Sequence, residues 1–433
     1  MRGLAEFKPK LSSEVKVRFL KEDERGKFYI IGTTGESAFL KVHQVGKNVV
    51  DALDGHTSVA QIADDLKRKN VDIDLARFIS LLGQEGFIEN YPHSRLKQKS
   101  REKLRIYYLP FLKNPERVLG MLHSLLSSLF KPALLMLFIP FNVFIVLYFA
   151  SGVLLGSFRL QFFSLGESTF LAFALYFLLF FPLLGLMHEL AHAVTCFHYG
   201  GKPSEIGMAV YLFTFFFYAD TSDTWMFDKR KSILVFLAGP LITLFTGNVF
   251  FLLHLFFQSH VLTQVFVLIA FASYLSVLFG FNPLIEADGY YILQTLMDFP
   301  NIHLHAWSYA SSWFRCRLGL ISKKEHEELT SSYSESERKM LAVYTPLAVL
   351  MNVLIVFIVL PWSILVLYEY VQLTSALVKA FPNFDVSMVA IWLFEGVYLF
   401  LVFVYSSFRI IKQAVRKLRR YRFVRGGRMP TRC

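Results

Sequence analysis

The sequence predicts a mostly α, polytopic helical membrane protein with about six spans, preceded by a small α+β, winged-helix-like domain. Apolar residues make up 54% of the 433-residue chain and charged residues only 18%, more apolar surface than a soluble fold requires. The chain is also divided: residues 1–105 carry charges in every block of ten, whereas from Val118 onward long apolar runs alternate with short polar segments. Six of those runs reach the length needed to cross a bilayer as a helix, about 20 residues.

The N-terminal block has a pattern of its own. Residues 15–19 and 28–31 read as strands around the turn signal Glu24-Arg25-Gly26, with 39–42 as a third strand. A helix over 48–53 and the turn Asp54-Gly55 follow. Thr57-Ser58 then caps a helix with Val59, Ile62, Ala63 and Leu66 on one face. A last helix over 75–86 turns Phe78, Leu81 and Leu82 inward. Strands, then DALDGHTSVAQIADDL, then FISLLGQEGFIEN, is an order that resembles the PqqD-like module, which binds leader peptides of ribosomally made, modified peptides. The resemblance implies that this domain recruits a peptide. A winged helix can instead bind DNA, but the helix over 60–70 has mixed charge, so no nucleic acid is expected. A purely structural cap is the third possibility.

The expected spans lie at 132–156, 169–198, 232–257, 261–281, 342–370 and 388–410. The stretch 118–130 is shorter and amphipathic and is expected to lie along the membrane interface. Lys and Arg set the orientation. Arg101, Lys103 and Arg105 precede the first span; Lys202, Lys229, Arg230 and Lys231 follow the second; Arg315, Arg317, Lys323, Lys324, Arg338 and Lys339 follow the fourth; and a basic run closes the chain. The alternate connections hold only Arg159 and Lys379. Both termini are therefore expected in the cytoplasm. The net charge of +12 sits mostly beside the spans, which suits an anionic lipid surface. Cys196, Cys316 and Cys433 have no paired spacing, so neither a disulfide framework nor a cysteine zinc ribbon is expected. The first twenty residues lack an apolar core, and no signal peptide is expected.

The chemistry concentrates at His188-Glu189-Leu190-Ala191-His192, near the cytoplasmic end of the second span. Residues four apart share a helix face, so both imidazoles can bind one metal ion. Glu189 between them is placed to take a proton from water. Catalytic zinc usually has three protein ligands, so a third is required from another helix at the same depth. The segment Asn282-Pro283-Leu284-Ile285-Glu286-Ala287-Asp288-Gly289, at the cytoplasmic end of the fourth span, offers Asp288, with Glu286 as a rival. Pro283 breaks the helix and Gly289 permits a tight turn, which is expected to hold Asp288 in a loop.

At these residues the chain resembles the site-2 protease family of intramembrane zinc metalloproteases, over roughly 170–294. The resemblance implies Zn2+ on His188, His192 and Asp288, Glu189 as general base and acid, and Asn282 in contact with substrate or oxyanion. The family tends to carry Gly-Pro in the intervening helix, and Ala238-Gly239-Pro240 fits; where many members then have Asn, this chain has Thr243. Together with the N-terminal module, the pattern is similar to that of peptide zinc metalloproteases encoded beside modified-peptide genes. It implies a multi-pass protein of the cytoplasmic (inner) membrane that cuts a peptide precursor or a membrane-protein segment, with no other bound cofactor. Residues 200–227 read either as a hairpin dipping into the membrane, whose edge could pair with substrate, or as a plain aromatic-anchored loop. His198 is expected at the interface rather than on the metal.

The expected organisation is thus 1–95 winged-helix-like domain, 96–131 linker and interfacial helix, 132–298 membrane domain with the zinc site, 299–341 cytoplasmic connection, 342–411 the last two spans and 412–433 a basic tail. Two rivals come from other classes. One is an inactive peptide-export or immunity protein, with Asn248, His254, Asn352 and Glu395 as a transport path; the other is a membrane-tethered DNA-binding regulator. The orientation is directly testable: reporter fusions after Lys379 and at Cys433 are expected to report opposite sides of the membrane, and same-side signals would mean a miscounted span.

Overall fold

The computed structural model describes residues 6–33, 36–69, 71, 73–91, 106–130, 132–155, 179–211, 214–257 and 260–354. The described chain is mostly helical with two small sheets, and it divides into two units, 1–211 with 215–298 and 299–433 with 212–214.

The N-terminal domain begins with three strands, β1 (Val15–Asp23), β2 (Gly26–Thr33) and β3 (Glu36–His43), in an antiparallel meander of order β1-β2-β3. Three helices follow: α1 (Gln44–Asp51), α2 (Val59–Arg68) and α3 (Leu75–Gln84). The predicted strands are present and longer than expected. α1 starts four residues earlier than the sequence suggests, because the Nδ1 of His43 accepts from the Val45 N–H (3.4 Å) and caps the helix where β3 ends. No Gly or Pro marks that junction. α2 begins at a reciprocal cap, in which Ser58 Oγ accepts from the Gln61 N–H (3.3 Å) and Gln61 Oε1 from the Ser58 N–H (2.8 Å). The core packs Ile31, Leu40 and Val42 of the sheet against Val49, Ile62, Ile79, Leu82 and Phe87.

The segment expected as a linker contains a strand, β4 (Ile106–Lys113). It pairs antiparallel with β5 (Glu205–Tyr211), and β6 (Thr214–Ala219) completes a sheet of order β4-β5-β6. The segment 200–227 is therefore a hairpin plus a 3-10 helix, Ser222–Met226. The register of β4 shifts between Pro110 and Leu112, as suits a residue with no N–H for the ladder. The amphipathic stretch after it forms α4 (Glu116–Leu126), which buries Leu119 against Ala193 and Val194 and leaves Met121 and Leu125 exposed.

The apolar helices are α5 (Pro132–Leu154), α6 (Phe181–His198), α7 (Lys229–Phe256) and α8 (His260–Gly280), followed by the shorter α9 (Asp288–Met297). α7 lies at the centre and packs on α5, α6, α8 and α9. A polar cluster ties three of them. Asn248 of α7 donates through Nδ2 to Asn142 Oδ1 of α5 (2.7 Å) and accepts from the Tyr274 hydroxyl of α8 (2.8 Å), while Asn142 Nδ2 donates to the Phe138 carbonyl (2.7 Å). Both asparagines are buried.

The expectation of about six spans is met in part. Among the described residues, two helices are long and apolar enough to cross a membrane, Lys229–Phe256 and Leu262–Gly280. α5 itself runs unbroken over 23 residues, Pro132–Leu154. Only 179–198 of the second expected span is described, and α6 covers 18 residues of it. The fifth continues beyond residue 354, and the sixth lies outside the described residues, as does the basic tail.

The second unit, taken by itself, holds α10 (Ile302–Arg317), α11 (Lys323–Thr330) and α12 (Glu335–Leu354), so the stretch expected as a connection is itself helical. Ile302, Ala306, Leu341, Tyr344 and Ala348 are buried there.

The asparagine cluster yields a stability prediction. Asn248→Leu removes the partner of both Asn142 and Tyr274, and unfolding in detergent should show a loss of about 1–2 kcal/mol, the range for hydrogen bonds between apolar helices. An unchanged unfolding midpoint would show that the cluster contributes nothing.

Candidate metal centre

His188 and His192 lie one turn apart on α6, and Asp288 is the first residue of α9. One donor atom from each lies within 4.8 Å of the others. His188 Nε2 is 3.3 Å from Asp288 Oδ2, His192 Nε2 is 3.3 Å from Asp288 Oδ1, and the two Nε2 atoms are 3.1 Å apart. His192 is buried, while His188 and Asp288 are half-buried.

The partners of the other ring nitrogens settle what these atoms present. His192 Nδ1 lies 2.7 Å from the Val235 carbonyl, which can only accept, so Nδ1 carries the proton. His188 Nδ1 lies 2.9 Å from Thr243 Oγ1, and the Thr243 hydroxyl donates to the Gly239 carbonyl (3.0 Å). Its proton thus committed, Thr243 Oγ1 accepts from His188. Both Nε2 atoms therefore turn lone pairs toward each other and toward a carboxylate. Three electron-rich atoms at such distances repel one another unless a cation or added protons sit among them. Two neutral imidazoles and a carboxylate, each imidazole fixed through its far nitrogen, are the donor set that zinc takes at catalytic sites. The residues fit the ion.

Two glycines make room for this geometry. A Cβ on Gly239 would overlap the Nε2 atoms of both histidines, so α7 can approach the group only without a side chain there. A Cβ on Gly289 would overlap the backbone of Phe281. Gly289 is thus required for close approach at the start of a helix, not for a turn. Asp288 correspondingly opens α9 rather than sitting in a loop, where the helix dipole favours its negative charge.

The other predicted residues fall as follows. Glu286 is exposed and stands outside the donor group, whereas Asp288 lies within it. Glu189 Oε2 accepts from the Ala219 N–H at the end of β6 (3.1 Å), which ties the hairpin to the helix of the two histidines. Asn282 Oδ1 accepts from the Leu284 N–H (2.9 Å) and shapes the turn between α8 and α9. His198 lies off the group; its Nδ1 is 2.8 Å from His123 Nε2 of α4, and Phe130 stacks on its ring. Asn248 is hydrogen-bonded on both sides rather than lining a path, whereas the Asn352 side chain and Glu395 lie outside the described residues. Sequence reading missed Val235 and marks Thr243 only as a departure from the resembled pattern, not as a partner of His188. A backbone carbonyl leaves no mark in a sequence, but Thr243 stands four residues after Gly239, on the same helix face.

No family model and no solved structure matches the chain. Over 115 residues it is 30% identical to a protein of Bacillus subtilis (strain 168) named "Putative peptide zinc metalloprotease protein YydH". The match covers 26% of this chain and 44% of that relative, less than half of its length. It supports a relationship to zinc metalloproteases and gives the PqqD-like resemblance no support.

Metal analysis of purified variants checks the donor set. His188→Ala, His192→Ala and Asp288→Ala should each lose bound zinc, Gly239→Ala should lose it by steric block, and Glu286→Ala should retain it. Protons compete with the metal for the same Nε2 atoms, so acidification should release zinc from the wild type. Full zinc in Asp288→Ala, with loss in Glu286→Ala, would reverse the assignment.

Proposed function

We propose that the chain is a membrane-embedded zinc endopeptidase of the site-2 type. The observation that carries this reading is the pair of imidazoles whose Nδ1 protons are committed to Val235 and Thr243, leaving both Nε2 lone pairs facing Asp288. The name of the Bacillus subtilis relative points the same way. Zinc held by His188, His192 and Asp288 would lower the pKa of a water and polarise a scissile carbonyl. Glu189, on the same helix, takes the proton as the water attacks and returns it to the leaving amine. Asn282 is the proposed contact to substrate or to the oxyanion, on the turn that leads into Asp288.

The bilayer is the proposed solvent of the helices. Along α5, Met136, Leu137, Phe141, Phe144 and Leu147 are all exposed, an arrangement that water penalises and lipid does not. With the Lys and Arg asymmetry, this favours a multi-pass protein of the cytoplasmic (inner) membrane with both termini inside. The proposed substrate is a ribosomally made peptide precursor or a membrane-associated segment. It would be recruited by the N-terminal domain through a leader peptide, as the resemblance of that domain implies, and laid extended along β6, whose end meets Glu189. No nucleic acid is proposed as a partner.

Glu189→Gln tests the reading. It should retain zinc and reduce cleavage by about 10^2–10^4-fold, the contribution typical of a general base. Wild-type cleavage by this variant would refute the assigned role, and zinc-independent cleavage by the wild type would refute the class.

A further inference from the structure

We propose that Arg18, on the N-terminal domain, is a positioning residue for the metal centre, so that this domain braces the site as well as serving it. The inference rests on the zinc peptidase reading. Arg18 stands on β1 opposite Ile30, on the sheet face turned away from the domain core. All three strands meet the 3-10 helix Ser222–Met226. There the Arg18 Nη1 donates to the Trp225 carbonyl at 2.9 Å, half-buried, with Asp228 and Asp298 within electrostatic reach of its guanidinium.

Trp225 carries the contact inward. Its ring packs on Phe236 of α7 (5.9 Å between centroids) and on Tyr291 of α9 (6.2 Å), and those two rings stack on each other at 5.5 Å. Phe236 follows Val235, whose carbonyl orients His192. Tyr291 lies one turn after Asp288. The short helix that holds Trp225 is also bound to the helices of the site: the Thr224 hydroxyl meets Cys196 Sγ of α6 (3.8 Å), and Ser232 Oγ of α7 donates to the Thr224 carbonyl (2.8 Å). One side chain of the N-terminal domain is therefore connected, through a single indole, to the supports of two of the three metal donors. Residues that orient metal ligands from outside the coordination shell typically change affinity by about 10–100-fold; Arg18, one step further out, is expected at the lower end.

The test uses the full chain, with Arg18→Ala, Arg18→Lys and the exposed control Arg77→Ala. Zinc affinity is read by chelator competition, cleavage by kcat and KM on a short peptide, and backbone opening by amide hydrogen exchange over 288–292. Arg18→Ala should bind zinc about tenfold more weakly, lower kcat with KM little changed, and raise exchange at the start of α9; Arg18→Lys should recover part of each, and Arg77→Ala should match wild type. In a Trp225→Ala background the Arg18→Ala change should add nothing. Wild-type zinc affinity and exchange in Arg18→Ala, or additive losses with Trp225→Ala, would overturn the proposal. Exchange is measured on the metal-free chain, so a wild type that binds no zinc would count against the peptidase reading while the bracing is still decided.

Discussion

Three electron-rich atoms, the Nε2 of His188, the Nε2 of His192 and the carboxylate of Asp288, are held within 4.8 Å of one another, and much of the surrounding structure exists to keep them there. Each donor comes with its own constraint. α6 sets the spacing of the two imidazoles, the close packing of Gly289 on Phe281 sets where α9 begins, and α7 supplies the acceptors that fix both ring orientations. α7 does this by presenting no side chain at Gly239 and a carbonyl and a hydroxyl on either side of it. A helix with a side chain at that position could not lie so close.

The same economy holds away from the donors. In an apolar surround an unpaired polar group is costly, and Asn142, Asn248 and Tyr274 satisfy one another across three helices. Such a cluster works as a clamp rather than a transport path, which removes one support from the export reading. Glu189 is likewise not idle: bonded to the Ala219 N–H, it joins the hairpin to the helix that bears the histidines. The strand proposed to receive substrate and the proposed base are thereby set in one frame.

Much of this was legible in the sequence because it is written in side chains at fixed spacings. His188, His192 and Asp288 announce themselves by chemistry and period, and the capping box at Ser58 by its Gln61. Contributions carried by the backbone were not legible. The carbonyl of Val235 has no residue code, β4 is recognisable only through its partner β5, and α1 starts at a histidine cap instead of a glycine or proline. Gly289 reads in the sequence as permitting a tight turn, whereas the structure uses it for close approach to the Phe281 backbone, and a sequence does not separate the two.

The central claim is that a zinc ion occupies the space enclosed by two imidazoles and one carboxylate. X-ray absorption at the zinc edge of the purified chain tests it most directly. The account predicts a shell of nitrogen and oxygen only, at about 2.0–2.2 Å, with the outer-shell scattering of two imidazole rings. Sulfur at about 2.3 Å, or a shell without imidazole, would place the metal elsewhere and contradict it.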